Sequence, residues 1–70
     1  MKRIAVESSN LASVGYDEAA KMLEIQFHSG GIYQYDNVKK EFYDELMKAE
    51  SKGRYFLHEI KGVYSYRRVR

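Results

Sequence analysis

Residues 22–28 alternate apolar and polar side chains: Leu23, Ile25 and Phe27 fall on one side, and Glu24, Gln26 and His28 on the other. A period of two is the mark of a half-buried strand. Residues 11–17 carry the same rhythm, with Ala12, Val14 and Tyr16 in one phase, and residues 17–20 read as a turn between the two. Ser29-Gly30-Gly31 signals a hairpin, because glycine reaches the positive φ that tight turns need. Residues 32–36 are then the returning strand. Together these segments predict an antiparallel meander with one wet face.

Past residue 36 the period changes from two to about 3.6. Asp36 or Asn37 is placed to cap a helix whose apolar stripe is Val38, Phe42, Leu46 and Met47, with Tyr43 beside it. Lys39, Lys40, Asp44, Glu45 and Lys48 take its outer face. Ser51-Lys52-Gly53 breaks or re-caps the helix, and a second short helix is expected over residues 54–61, presenting Phe56, Leu57 and Ile60 and stopping at Gly62. Residues 63–69 form a last extended segment. The order βββαα(β) predicts an α+β domain: a small antiparallel β-meander packed against two helices, with a short C-terminal strand as its last element.

Two registers are open for the hairpin. A two-residue turn at Ser29-Gly30 sets Tyr33 opposite Gln26 and Tyr35 opposite Glu24, both rings on the wet face like those of sheet-based RNA binders. A loop of Ser29-Gly30-Gly31 sets Tyr33 opposite Phe27 and Tyr35 opposite Ile25, with both rings in the core. The second fits polarity at more positions, failing only at Ile32, and buried rings with hydroxyls at the rim are favoured.

Length bounds the architecture. Seventy residues make one domain, residues 1–70, with a thin core that self-association would supplement. The absence of cysteine excludes disulfides and thiolate metal sites. Met1-Lys2-Arg3 opens like a secretion signal, but Glu7, Ser8, Ser9 and Asn10 interrupt it, and no run approaches a membrane span. A cytoplasmic location is expected.

Charge is unevenly spread. Residues 52–70 hold six Lys/Arg against the single acid Glu59, a net +5, whereas residues 1–51 carry six Lys/Arg and nine acids, a net −3. The basic end is interleaved with aromatic rings, and a flexible polyanion with stackable bases would select that combination. Arg54, Tyr55, Lys61, Tyr64, Tyr66, Arg67, Arg68 and Arg70 are the candidate binding residues. Alternation along residues 63–69 groups Tyr64, Tyr66, Arg68 and Arg70 on one side. A solvated basic tail, or a charged edge strand that resists aggregation, is the competing explanation.

Enzyme signatures are missing. His58-Glu59 lacks a second His four residues after the first, and His28 belongs to another element. Ser29-Gly30-Gly31 is not followed by the Gly-Lys-Ser/Thr of a phosphate loop, and the ten carboxylates are scattered. No catalysis, metal or cofactor is expected. A helix-turn-helix, with Arg54, His58 and Lys61 toward a major groove, is the weaker DNA-binding alternative.

The strings Ser8-Ser9-Asn10-Leu11, Val14-Gly15-Tyr16-Asp17, Leu23-Glu24-Ile25-Gln26-Phe27, Gly31-Ile32-Tyr33-Gln34-Tyr35 and Ser51-Lys52-Gly53-Arg54-Tyr55-Phe56 occur in that order. In order and spacing they resemble the KTSC domain family, found at the C-terminus of some lysyl-tRNA synthetases and as small stand-alone bacterial proteins. The resemblance runs from about residue 3 to 69 and assigns Tyr33 and Tyr35 to the family's Tyr-x-Tyr motif. Lys39 stands where the family pattern has Pro. The resemblance implies a fold but no established activity; RNA binding is a suggestion made for the family. The expected function is a non-catalytic module binding RNA or single-stranded nucleic acid, the alternative being a protein–protein or self-association module.

Overall fold

Residues 2–70 are described by a computed structural model; Met1, the first of the three residues weighed as a signal start, lies outside them. The elements run β1 (Arg3–Ala5), β2 (Leu11–Asp17), β3 (Met22–Phe27), β4 (Ile32–Tyr35), α1 (Lys40–Lys48), α2 (Lys52–Glu59) and β5 (Tyr66–Arg68). All five strands join one antiparallel sheet in sequence order, β1-β2-β3-β4-β5. The α+β meander with two helices and a short C-terminal strand is therefore the observed architecture. Its additional element is β1, three edge residues with no alternation long enough to read.

One sheet face carries Leu11, Val14, Leu23, Ile25 and Tyr35, which are buried together with Val38, Leu46, Phe56 and Ile60. The other face bears no helix and is mostly polar, with Ile32 the buried apolar exception. Strand β2 differs from expectation at its start. A bulge between Leu11 and Ser13 shifts the pairing, so Leu11 enters the core and Ala12 does not take a core position in phase with Val14.

The hairpin adopts neither register weighed above. Its loop is His28-Ser29-Gly30: the Phe27 N–H donates to the Gly31 carbonyl at 2.9 Å, and the Gly30 N–H to the Phe27 carbonyl at 2.9 Å. Tyr33 therefore opposes Ile25, and Tyr35 opposes Leu23. This lies two residues from the favoured register, so the rings keep the core face while their partners change. The two glycines serve different needs. Gly30 takes φ 109° at the end of the loop. At Gly31 a Cβ would lie 2.9 Å from the Tyr33 ring.

Neither Asp36 nor Asn37 caps α1. Asn37 sits at φ 63°, Lys39 is the N-cap and makes no side-chain cap bond, and Val38 is buried ahead of the helix. The Val38 backbone is held instead by the Lys21 carbonyl, which accepts its N–H at 2.9 Å, and by the Tyr16 hydroxyl, which donates to its carbonyl. Helix α2 starts two residues early because Ser51 caps it, its side chain accepting from the Arg54 N–H at 3.3 Å. Leu57, expected on the apolar face, is 53% exposed; Phe56 and Ile60 carry that face, with Gly53 buried and Tyr55 packed against the core. Gly62, at φ 80°, turns the chain back toward the sheet edge.

On the helix-free face, one register row runs Arg3, Gly15, Glu24, Gln34, Arg67 across all five strands. Glu24, though opposite the core, is only 7% exposed. Gln34 Nε2 donates to it at 2.8 Å, and Arg3 reaches it across Gly15. A Cβ at Gly15 would lie 2.9 Å from the Lys2 carbonyl and 3.0 Å from Arg3 Cγ, so glycine is what lets the arginine lie flat across β2. Burial pushes the Glu24 carboxyl up, but the bonds from Gln34 and Arg3, with the Arg3 charge, outweigh that and hold it below its ordinary value.

A candidate nucleic-acid interface

Strand β5 adds its residues to both faces of the sheet. By register, Tyr66 lies opposite Tyr35 and Arg68 opposite Tyr33 on the helix side, while Arg67 lies opposite Gln34 on the other. The helices cover the middle of the sheet but not this edge, so the Tyr66 ring remains 60% exposed. It packs against Tyr33 and Tyr35 at centroid distances of 5.7 and 5.6 Å. Behind it, Phe56 meets Tyr35 edge-on at 5.4 Å and Phe27 at 5.4 Å. The Arg68 guanidinium stands 5.9 Å above the Tyr33 ring. Burial, with smaller contributions from Tyr33 and Tyr66, pushes the Tyr35 phenol up to about 12.

These rings line a recess of ≈ 270 Å³ between β4, β5 and the end of α2, bounded by Ser29, Lys61 and Gly62. It adjoins a second recess of ≈ 310 Å³ that shares Phe27, Ser29, Phe56 and Lys61 and continues past His28 to Ser9, Asn10 and Gly53. Local bonds hold this second wall in place. The Ser8 hydroxyl accepts from the Asn10 and Leu11 N–H groups, each at 3.2 Å, and the His28 ring nitrogen Nε2 bonds the Ser8 carbonyl at 2.9 Å. A Cβ at Gly53 would lie 3.4 Å from the Ser8 hydroxyl, so α2 approaches the 8–10 loop closely at that glycine.

The candidate residues divide among several surfaces. Lys61 and Tyr66 line the recess with Tyr33 and Tyr35, and Arg68 stands over the Tyr33 ring on the same side. Arg54 and Tyr55 border a separate recess of ≈ 520 Å³ with Glu45, His58 and Glu59. There the Tyr55 hydroxyl donates to Glu45 at 3.4 Å, and burial, reinforced by Glu45 and Glu59, pushes its phenol up to about 12. Arg54 and His58 line this recess, whereas Lys61 lines the two recesses beside Phe56. Tyr64 turns inward against Phe42 at 6.2 Å. Arg67 pairs with Asp36 at 3.3 Å on the opposite sheet face. Arg70 lies beyond the last strand residue, its carbonyl accepting from Arg68 Nε at 2.8 Å. Charge and alternation in the sequence pointed to Lys61, Tyr66 and Arg68. Phe27 and Phe56 were legible only as core residues, and Asn10, His28 and Ser29 carried no signal of sharing a groove. Among the described residues, no three of His, Cys, Asp or Glu cluster as a metal site, and no helix is long and apolar enough to cross a membrane.

Comparison with known proteins gives a consistent result. The family model described as the KTSC domain matches residues 7–64. The crystal structure of a KTSC domain protein from Yersinia pestis superposes with a TM-score of 0.96 at 43% identity, covering 99% of this chain and 97% of that one. An uncharacterised protein from Stutzerimonas stutzeri is 43% identical over 70 residues, 99% of each chain. A lysine–tRNA ligase from Nostoc sp. is 36% identical over 63 residues, which is 90% of this chain but 11% of that enzyme. With a family model over most of its length and a near-complete structural match, this chain belongs to the KTSC domain family.

Proposed function

We propose that this domain is a non-catalytic binding module for RNA or single-stranded nucleic acid, working in the cytoplasm. The observation that carries the reading is Tyr66: an exposed ring, backed by Tyr33 and Tyr35, with Lys61 and Arg68 beside it. An exposed aromatic on a sheet is a platform for an unpaired base, and nearby cations meet the phosphates that flank it. Arg68 and Lys61 are the phosphate contacts nearest the ring, with Arg70 beyond the strand end, while Arg54 borders a separate recess. Arg67 contributes to the field from the other face. The likeness to part of lysine–tRNA ligases, enzymes whose substrate is an RNA, is in keeping with this class.

A second reading has its own support. Ile4, Leu57, Val63 and Val69 are exposed apolar residues, and β1 and β5 are open sheet edges, features suited to a protein partner or self-association. One experiment separates the two: titration with labelled single-stranded RNA and DNA at two salt concentrations, beside a solution mass. Phosphate binding gives affinity that falls with salt, with a slope of about −0.7 per contact on single strands. A flat salt response, or no binding at low salt, removes the nucleic-acid reading; a dimer mass favours the second.

A further inference from the structure

The two recesses beside Lys61 have different chemistry at either end. One end is aromatic, walled by Tyr33, Tyr35, Tyr66 and Phe56. The other is mixed, with Asn10, His28 and Ser29 on its wall together with Leu57 and Gly53. Phe27, Ser29, Phe56 and Lys61 belong to both, so they form one groove with a cation at its waist. The chain has ten carboxylates, yet none lines either recess, whereas Glu45 and Glu59 line the recess beside Arg54. A groove free of carboxylates, with one lysine at its middle, accepts a negative charge there without repulsion. Its aromatic end offers ring faces to a flat, π-rich group.

We propose that this groove is a pocket for a single nucleotide. The base stacks at the aromatic end against Tyr66, Lys61 meets the phosphate, and the Asn10, His28 and Ser29 wall supplies hydrogen bonds to sugar or phosphate. The proposal rests on the nucleic-acid reading and sharpens it. The domain grips one nucleotide as a unit rather than lying along a strand, and that nucleotide is either free or part of a chain. Specificity falls to hydrogen bonds from Asn10, His28 and Ser29, because stacking itself tolerates every base.

The test is a titration of the isotope-labelled domain, followed by amide NMR, with AMP, UMP, inorganic phosphate and a short single-stranded RNA. Both mononucleotides should shift Tyr66, Lys61, Ser29 and Gly31 together, saturably, and compete with the RNA. Tyr66→Ala should weaken mononucleotide binding roughly five- to a hundred-fold, the range expected for a lost stacking contact. Tyr66→Phe should preserve it, Lys61→Ala should weaken it, and Lys40→Ala, at an exposed position on α1 outside both recesses, should leave it unchanged. Unaltered amide spectra of the free variants establish that each is folded. If the RNA binds while mononucleotides neither shift the groove nor compete, the pocket is overturned and the broader reading stands. Mononucleotide binding without RNA binding leaves the pocket and removes the broader reading. If phosphate alone reproduces the Lys61 shifts and no ligand moves Tyr66, the groove is an anion site and the proposal fails. Silence from every ligand ends both.

Discussion

Glu24 is a buried carboxylate on the face of the sheet that no helix covers, satisfied by Gln34 and Arg3. Its ionised form is favoured in the folded protein, so its folded pKa lies below the ordinary value of 4.5. For an acid shifted down, the stabilisation is present above the unfolded pKa and is lost as pH falls through the folded one. Denaturation midpoints of the wild type should therefore fall on acidification below about 4.5. Glu24→Gln should be less stable at neutral pH by about 1–3 kcal/mol, since Arg3 loses a charged acceptor. Its acid limb should also be flatter. A variant with an unchanged acid limb would assign the acid sensitivity to other carboxylates. The sequence placed Glu24 on the wet face, which is correct. Its burial there depends on Arg3, two strands away, crossing Gly15 on the strand between them, a relation that alternation within one strand does not encode.

Among the elements, β3, β4 and both helices were legible because each repeats its period over several residues. β1 was not: three residues, with Ile4 and Ala5 both exposed, give period two nothing to act on. The hairpin register was hidden by adjacent glycines, since either Gly30 or Gly31 fits a turn, and the positive φ of Gly30 and the closeness of the Tyr33 ring to Gly31 distinguish them. The start of α1 was misread because Asp36 and Asn37 are both good caps. Asp36 instead pairs with Arg67 of the last strand, which no local pattern reveals. The candidate interface was legible to the same extent: charge marked Lys61 and Arg68, and alternation put Tyr66 on the side of Arg68. The groove floor stayed hidden because Phe27 and Phe56 look like ordinary core residues. Leu46 and Leu57 test the helix faces directly. Leu46→Ala should cost about 2–5 kcal/mol, a large part of a small domain's stability. Leu57→Ala, at an exposed position, should stay within about 0.5 kcal/mol. Equal losses in chemical denaturation would mean that α2 packs through a different face.

At the scale of the whole molecule, the strands of the meander β1–β4 are joined by short connections, whereas β5 returns to β4 only after both helices. Its three residues are all exposed, and its hold on the sheet is a few backbone bonds, the packing of Tyr66, the Arg67–Asp36 pair and the Arg68 contact with Tyr33. Such an element opens more often than the core does. In native-state hydrogen exchange, the Arg67 amide should exchange well before those of Val14 and Ile25. Saturating single-stranded RNA should slow Arg67 preferentially. Equal exchange across the sheet would show that β5 opens only with the whole domain. The apparent affinity is then the intrinsic affinity scaled by the fraction of molecules with β5 docked. Substitutions that only loosen the edge, such as Asp36→Ala at the Arg67 pair, would weaken binding without touching the ligand. On the proposed function, the Tyr66 platform is a hinged shelf that a bound nucleotide would latch shut.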